Sequence, residues 1–140
     1  MQTLTEGDLV LVVLEPGEEI VASVGEAAAA HQIRAGWVSG IGSVSEVELA
    51  YFDPDRKEYL PRLFEEPMEI GNLTGNISRM EDESHVHLHA TVCGPELIAF
   101  TGHLNRGVVG TACEIYIRRL GREVERIKDP ASGFNPLKLR

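Results

Sequence analysis

The chain has 140 residues, 43% of them hydrophobic and 25% charged, and its formal net charge of −9 is compatible with one soluble globular domain that buries its own core. No apolar run approaches the ~20 residues needed to span a bilayer, and the N-terminus lacks the basic flank and apolar stretch of a signal peptide. The only two cysteines, Cys93 and Cys113, exclude a disulfide framework, so we expect a cytoplasmic protein with reduced thiols and no membrane partner.

The first part of the chain predicts a strand followed by a helix. The apolar run DLVLVVLE, residues 8–15, is typical of a buried strand. Residues 18–36, EEIVASVGEAAAAHQIRAG, have a helical period, with acidic residues at the positive N-terminal end and Gly36 as the stop. His31 falls near the end of this segment, and we interpret it as a helix-end residue.

From Gly36 onward the pattern is that of successive strands separated by turns. The runs are rich in β-branched and aromatic residues, and glycines mark bends or bulges, as in SGIGS at residues 39–43. One main helix followed by about six strands predicts an α+β domain, with a mostly antiparallel sheet and the helix packed on one face. We expect a single domain over residues 1–140, with a core at about 7–120 and a basic C-terminal tail at 121–140.

Four of the five histidines fall between residues 85 and 103. In HVHLHATV, residues 85–92, histidines alternate with apolar side chains. A strand would therefore place the histidines on one face and the apolar side chains on the core. The next run, LIAFTGHL at residues 97–104, keeps the alternation and places His103 on the histidine side.

The turn signal CGPE between these two runs predicts a hairpin. Pairing Cys93 with Leu97 matches the apolar faces and sets His87 directly opposite His103, with His89 next to His87 on the same face. Opposed Cβ atoms lie roughly 4.5–5.5 Å apart, so the three imidazoles can converge on one point. Three histidines and one open position are the pattern of catalytic zinc, although imidazole also suits other divalent metals. We therefore predict a divalent-metal site, with zinc as the expected ion.

Other residues leave alternatives open. A polar sheet face that happens to carry histidines, or a pH-sensitive interface, would explain the same pattern without a metal. His85 lies on the histidine face as a further ligand candidate, and Glu114 is a candidate for a fourth ligand, an orienting partner or a general base. Cys93 and Cys113 are best explained as small hydrophobic side chains, and Trp37 as a core or subunit-interface residue.

Charge is unevenly spread along the chain. Residues 1–117 hold 6 basic and 19 acidic side chains, whereas residues 118–140 hold 7 basic and 3 acidic ones. A solvated charged tail explains the basic residues of the last part, namely Arg118, Arg119, Arg122, Arg126 and Lys128. An acidic body repels phosphate, so this composition argues against strong nucleic-acid binding.

The motifs together resemble a known family. The segments IRAGWVSGIGSVSEVELAYFDPDRKEY, EEPMEIGNLTGNIS, HVHLHATV and TGHLNRGVVGTACEIYI are similar to the plants and prokaryotes conserved (PPC) domain over roughly residues 7–120. The resemblance implies an α+β fold, a homotrimer, and metal-binding positions that match His87, His89 and His103, and it gives His85 no ligand role. It also implies DNA binding, through the label that prokaryotic relatives carry, although this sequence has no basic AT-hook arm.

Three functions are therefore open at this point. The first, which we favour, is a metal-binding homotrimer with an unassigned small-molecule ligand or a regulatory role. The second is a DNA-binding regulator, as the family label implies. The third is a metal-dependent enzyme that acts on a small molecule, in which the metal would polarise a carbonyl group or activate water.

Overall fold

The computed structural model describes residues 1–81 and 83–139. This part of the chain contains one helix and nine strands. The helix in it is too short to cross a membrane. The elements are β1 (Gln2–Glu6), β2 (Leu9–Leu14), α1 (Ile20–Ala30), β3 (Gly36–Asp53), β4 (Glu58–Phe64), β5 (Met68–Met80), β6 (Glu83–Cys93), β7 (Ala99–Arg119), β8 (Glu125–Arg126) and β9 (Leu137–Lys138).

All described strands belong to one sheet that closes on itself. Strand β7 pairs with β3, β3 with β5, β5 with β6, and β6 again with β7, which completes a ring of hydrogen-bonded neighbours. The apolar side chains that face inward from these strands form one core, to which α1 adds Ile20, Val24, Ala27 and Ala28. The helix lies against β2, β6 and β7. The sheet therefore supplies most of the framework, and the helix covers a small part of it.

The α+β fold class predicted from the sequence is wrong. The described residues are 64% strand and 8% helix, so the protein is mostly β, and its sheet is mixed because β8 runs parallel to β5. Strands β3 and β7 are 18 and 21 residues long, and they continue through the glycines at which the sequence pattern predicted bends or bulges. A glycine bends a strand or allows a bulge without ending its pairing, as between Gly40 and Gly42, where the β3–β5 register shifts.

The helix is also shorter than predicted, because it ends in a Schellman motif. Gln32 donates its N–H to the carbonyl of Ala29 at 3.1 Å, and Ile33 donates to the carbonyl of Ala28 at 2.8 Å. Gln32 takes a φ of +54°, a conformation that usually belongs to glycine. The sequence has no glycine at this position that would indicate the end of the helix. His31 is the C-cap residue, which agrees with its predicted place at the helix end.

Candidate metal centre

The β6–β7 hairpin carries the histidines, in a register two residues away from the predicted one. The predicted pairing set His87 opposite His103, but His89 takes that place. The loop is longer than expected because Leu97 adopts a φ of +56° and donates its N–H to the carbonyl of Gly94 at 3.0 Å, which completes a turn before β7 begins. A shift of two residues keeps each side chain on its predicted face, since side chains alternate with a period of two.

Three imidazoles converge on the side of the sheet away from the core. Ring centroids are 5.2 Å apart for His87 and His89, 5.0 Å for His87 and His103, and 5.6 Å for His89 and His103. One ligand nitrogen from each ring can be chosen so that all three lie within 4.8 Å of one another. Nε2 of His87 and Nδ1 of His103 are buried, and neither has a hydrogen-bond partner among the described residues. A metal ion would satisfy both nitrogens, whereas leaving them unpaired is costly.

Two glycines let neighbouring strands come close enough to hold the histidines in place. A Cβ added to Gly75 in β5 would lie 2.0 Å from the carbonyl oxygen of His87 in β6. A Cβ added to Gly102, just before His103, would lie 2.8 Å from the carbonyl oxygen of Ala50 in β3. Real Cβ atoms essentially never come within 3.0 Å of such atoms, so this approach of the strands requires glycine at both positions.

Burial keeps the three histidines neutral. It lowers the pKa of His87 to about 4, with a further contribution from the positive charge of Arg126 and smaller ones from the other histidines. Burial also lowers the pKa values of His89 and His103 from their usual 6.5. Metals bind the neutral imidazole, so burial favours the charge state in which each of these rings can act as a ligand.

A pocket of about 360 Å³ opens beside the histidines. Its walls are largely aromatic: the ring of Tyr59 lies 4.8 Å from that of His103, and the ring of Phe134 lies 6.4 Å from that of His87. Phe52 links the two walls, with its ring 5.2 Å from Tyr59 and 5.9 Å from Phe134. Among the described lining residues there is no Asp or Glu, so a molecule in the pocket meets imidazoles and aromatic rings rather than a carboxylate.

Arg126 reaches the same site from the C-terminal segment, and its predicted place in a solvated tail is wrong. Its side chain is buried, with the residue only 7% exposed. Its Nη2 lies 2.9 Å from Nδ1 of His87 and donates to Asn76 Oδ1, also at 2.9 Å. Its Nε donates to Ser78 Oγ at 3.1 Å, and its Nη1 donates to the carbonyl of Asn135 at 2.8 Å. No spacing within the tail signals this role, because the side-chain partners lie 39 to 50 positions away in sequence.

Three of the other basic residues near the C-terminus lie in separate surroundings. Lys128 forms an ion pair with Glu81 at 2.7 Å, and Arg119 donates to the backbone carbonyl of His31 at 2.7 Å. Arg118 is exposed on β7. These positive charges therefore point to separate local partners or to solvent, which is unlike the clustered basic surface of a nucleic-acid binder.

Other predicted candidates lie outside the group of three histidines. The ring of His85 is 6.5 Å from that of His87, and His85 does not join the converging nitrogens. Glu114 is exposed on β7 and does not line the pocket. Cys113 is fully buried, and burial raises the pKa of its thiol to about 12, while Cys93 is half-buried at the end of β6, and both thiols are free.

A mostly β fold with three histidines converging beside an aromatic pocket defines a protein with a candidate metal site. The comparison with protein families then assigns it. The sequence model of the Plants and Prokaryotes Conserved (PCC) domain matches residues 1–121, and the chain belongs to this family, the one that its motifs resemble.

The chain is also similar to several solved structures. A protein of Bacteroides thetaiotaomicron, provisionally named as DNA-binding, is 32% identical with a TM-score of 0.94, over 98% of this chain and 96% of that one. A metal-containing protein of Archaeoglobus fulgidus is 30% identical with a TM-score of 0.88, over 99% of both chains. A PPC protein of Pyrococcus horikoshii is 28% identical with a TM-score of 0.87, over 96% of this chain and 93% of that one. No curated protein matches this sequence.

Proposed function

We propose that this protein binds a divalent metal ion, zinc in the first place, through His87, His89 and His103. The observation that carries the proposal is a pair of buried nitrogens, Nε2 of His87 and Nδ1 of His103, which have no hydrogen-bond partner in the described part of the chain and lie within reach of a third imidazole. Neutral imidazoles are the usual protein ligands of zinc, and burial favours the neutral form of all three. Similarity to the metal-containing protein of Archaeoglobus fulgidus supports the same conclusion. When bound, the ion would supply a Lewis acid at the pocket.

Metal analysis of untagged protein tests this proposal. We expect one equivalent of zinc per chain in the wild type and its loss in His87→Ala and His103→Ala, with circular dichroism showing that the sheet is retained. His31→Ala, at the end of α1, is the matched control and should keep the metal, and His85→Ala should keep it as well. Metal content that is the same in all four variants and the wild type would exclude the site.

We further propose that the chain forms a homotrimer, as its family resemblance implies, and that it is cytoplasmic, as its two free thiols indicate. Support comes from exposed apolar residues on the sheet face that points away from the core. Trp37 and Ile41 of β3 are 51% and 55% exposed, and Tyr116 of β7 is 44% exposed, so Trp37 is not a core residue. Tyr116 pairs with Ser39, which lies between Trp37 and Ile41 on the same face. A contiguous apolar surface of this kind is typical of a subunit interface.

Molar-mass measurement by light scattering tests the trimer. The wild type should have the mass of three chains, and Trp37→Glu should reduce it, because the charge would be buried at the interface. Leu97→Glu is the control: Leu97 is 80% exposed in the hairpin loop and is not one of the strand residues that form the apolar face, so the mass should not change. A wild-type protein that is monomeric at micromolar concentration would contradict this proposal.

DNA binding is a second candidate, and the observation that favours it is the provisional name of the Bacteroides relative. Any contact with phosphate would depend on exposed basic side chains such as Arg118 and Arg122. A mobility-shift assay with duplex DNA should then show a shift that weakens steeply as salt is added, and that weakens further in an Arg118→Gln, Arg122→Gln variant. Absence of a shift at low salt would remove this candidate.

The third candidate function is that of a metal-dependent enzyme that acts on a small molecule. The pocket beside the histidines is the observation that favours it, since a molecule there could reach an ion held by His103. Acetohydroxamate, a small metal-chelating anion, is a suitable probe. It should raise the melting temperature of zinc-loaded wild type and have no effect on His103→Ala, whereas an equal effect on both would place the binding elsewhere.

A further inference from the structure

Nδ1 of His87, the ring nitrogen on the outer side away from the other two histidines, faces the guanidinium group of Arg126. A guanidinium has only N–H donors and no acceptor, so Nδ1 of His87 must accept the 2.9 Å hydrogen bond from Arg126. A neutral imidazole carries one proton, and with Nδ1 accepting, that proton lies on Nε2. Nε2 is the buried nitrogen with no partner among the described residues, on the side of the ring available to a metal. The hydrogen bond from Arg126 thus selects the ring form in which the metal-facing nitrogen is protonated.

This arrangement is the reverse of the usual one. A metal-binding histidine generally donates its outer N–H to a carboxylate or a carbonyl, which orients the ring and raises its basicity as a ligand. A cation in that position withdraws electron density from the ring, and its charge repels a metal ion on the other side.

The charge of Arg126 is not cancelled by an acid. Among residues 1–81 and 83–139, no carboxylate forms an ion pair with it, and its other partners are the neutral acceptors of Asn76, Ser78 and Asn135. These three contacts hold the guanidinium in place, so the contact with His87 is built into the fold. Arg126 also lies beyond residues 1–121, the part that the family model matches. The C-terminal segment therefore brings to the site a residue from outside the part that the family model matches.

We propose that Arg126 sets the metal affinity of this site: by occupying the outer nitrogen of His87 it opposes metal binding and keeps the ion weakly held and exchangeable. The inference rests on the proposed metal site. A metal can bind Nε2 by two routes. In the first, the ring proton is released to solvent while Arg126 stays in place. In the second, Arg126 leaves Nδ1 and the proton moves from Nε2 to Nδ1. Both routes cost free energy that a site with an acceptor at this position does not spend.

Metal affinity in variants of Arg126 tests the proposal. Competition with a chelating indicator, using Zn²⁺ and then Co²⁺, should show that Arg126→Met binds the ion at least about tenfold more tightly than the wild type, the size typical of changes to a partner of a ligand. Arg126→Lys keeps the positive charge and should stay close to the wild type. Arg122→Met, on the exposed part of the same segment, is the matched control and should not change. Equal or weaker binding by Arg126→Met would overturn the proposal, whereas a wild type that binds no Zn²⁺ or Co²⁺ even at saturating concentrations would instead refute the proposed function.

A second measurement needs no substitution, so it holds even if Arg126→Met fails to fold. Nitrogen-15 chemical shifts distinguish the protonated nitrogen of an imidazole from the unprotonated one. In the metal-free wild type, the one sample that this measurement requires, the proton of His87 should lie on Nε2; an Arg126→Met protein that does fold should show a weaker preference for Nε2. A role for Arg126 in packing alone would not move the proton, and a proton found on Nδ1 in the wild type would overturn the proposal.

Discussion

Replacing Gly75 by alanine should weaken the metal centre without changing any histidine. The new Cβ would lie 2.0 Å from the carbonyl oxygen of His87 and 2.9 Å from Cα of Leu88, both of them backbone atoms. Since contacts under 3.0 Å are essentially never seen, β5 and β6 must move apart there by about 1 Å. Overpacking of this kind costs about 1–3 kcal/mol, and a displacement of ~1 Å exceeds the ~0.2 Å tolerance of a metal–ligand bond.

The matched control for this experiment is Gly71→Ala, on the same strand, where an added Cβ meets nothing within 4 Å. Urea unfolding should show a loss of about 1–3 kcal/mol for Gly75→Ala, and zinc titration should show at least about tenfold weaker binding, with neither effect in Gly71→Ala. Wild-type zinc affinity in Gly75→Ala would refute the reasoning that β5 positions His87. Equal losses in both variants would show that glycine flexibility, rather than the steric contact, is what matters.

Three further predictions concern stability and reactivity. Without metal, the free energy of unfolding should fall as the pH drops from 6.5 to about 4, because His87 takes up a proton in this range in the unfolded chain but not in the folded protein. Urea unfolding at a series of pH values measures this fall, and the profile should be flatter in His87→Asn. Native protein should react with Ellman's reagent at Cys93 but not at the buried Cys113, whose thiol has a pKa raised to about 12, and a second equivalent before denaturation would contradict this. Glu19→Ala should cost about 0.5–2 kcal/mol, because this carboxylate accepts hydrogen bonds from the first turn of α1 and from β7, whereas the exposed Glu26→Ala should change stability by less than about 0.5 kcal/mol in a thermal melt.

Local sequence pattern is enough to predict which side chains of a strand share a face. Alternation in β6 places the apolar residues, such as Leu88 and Ala90, in the core and the histidines on the opposite side. This assignment is the same in the predicted and the observed register, because the two differ by an even number of residues. The position of the helix start and the place of His31 at its end also follow from local pattern. These features depend on the geometry of one extended or helical segment, which neighbouring residues in the sequence decide.

How those segments meet depends on contacts between residues that are distant in the sequence. The hairpin register follows from the positive φ of Leu97, and the end of the helix follows from the positive φ of Gln32. Leucine and glutamine rarely adopt a positive φ, so neither conformation can be predicted from the residue type. Glycine-containing runs continue as long strands because neighbouring strands supply hydrogen bonds on both sides, which turned an expected α+β domain into a mostly β one. Arg126 comes to lie beside His87 through a fold that joins positions 39 residues apart. Contacts of this kind depend on the pairing of distant segments, and no period in the sequence encodes them.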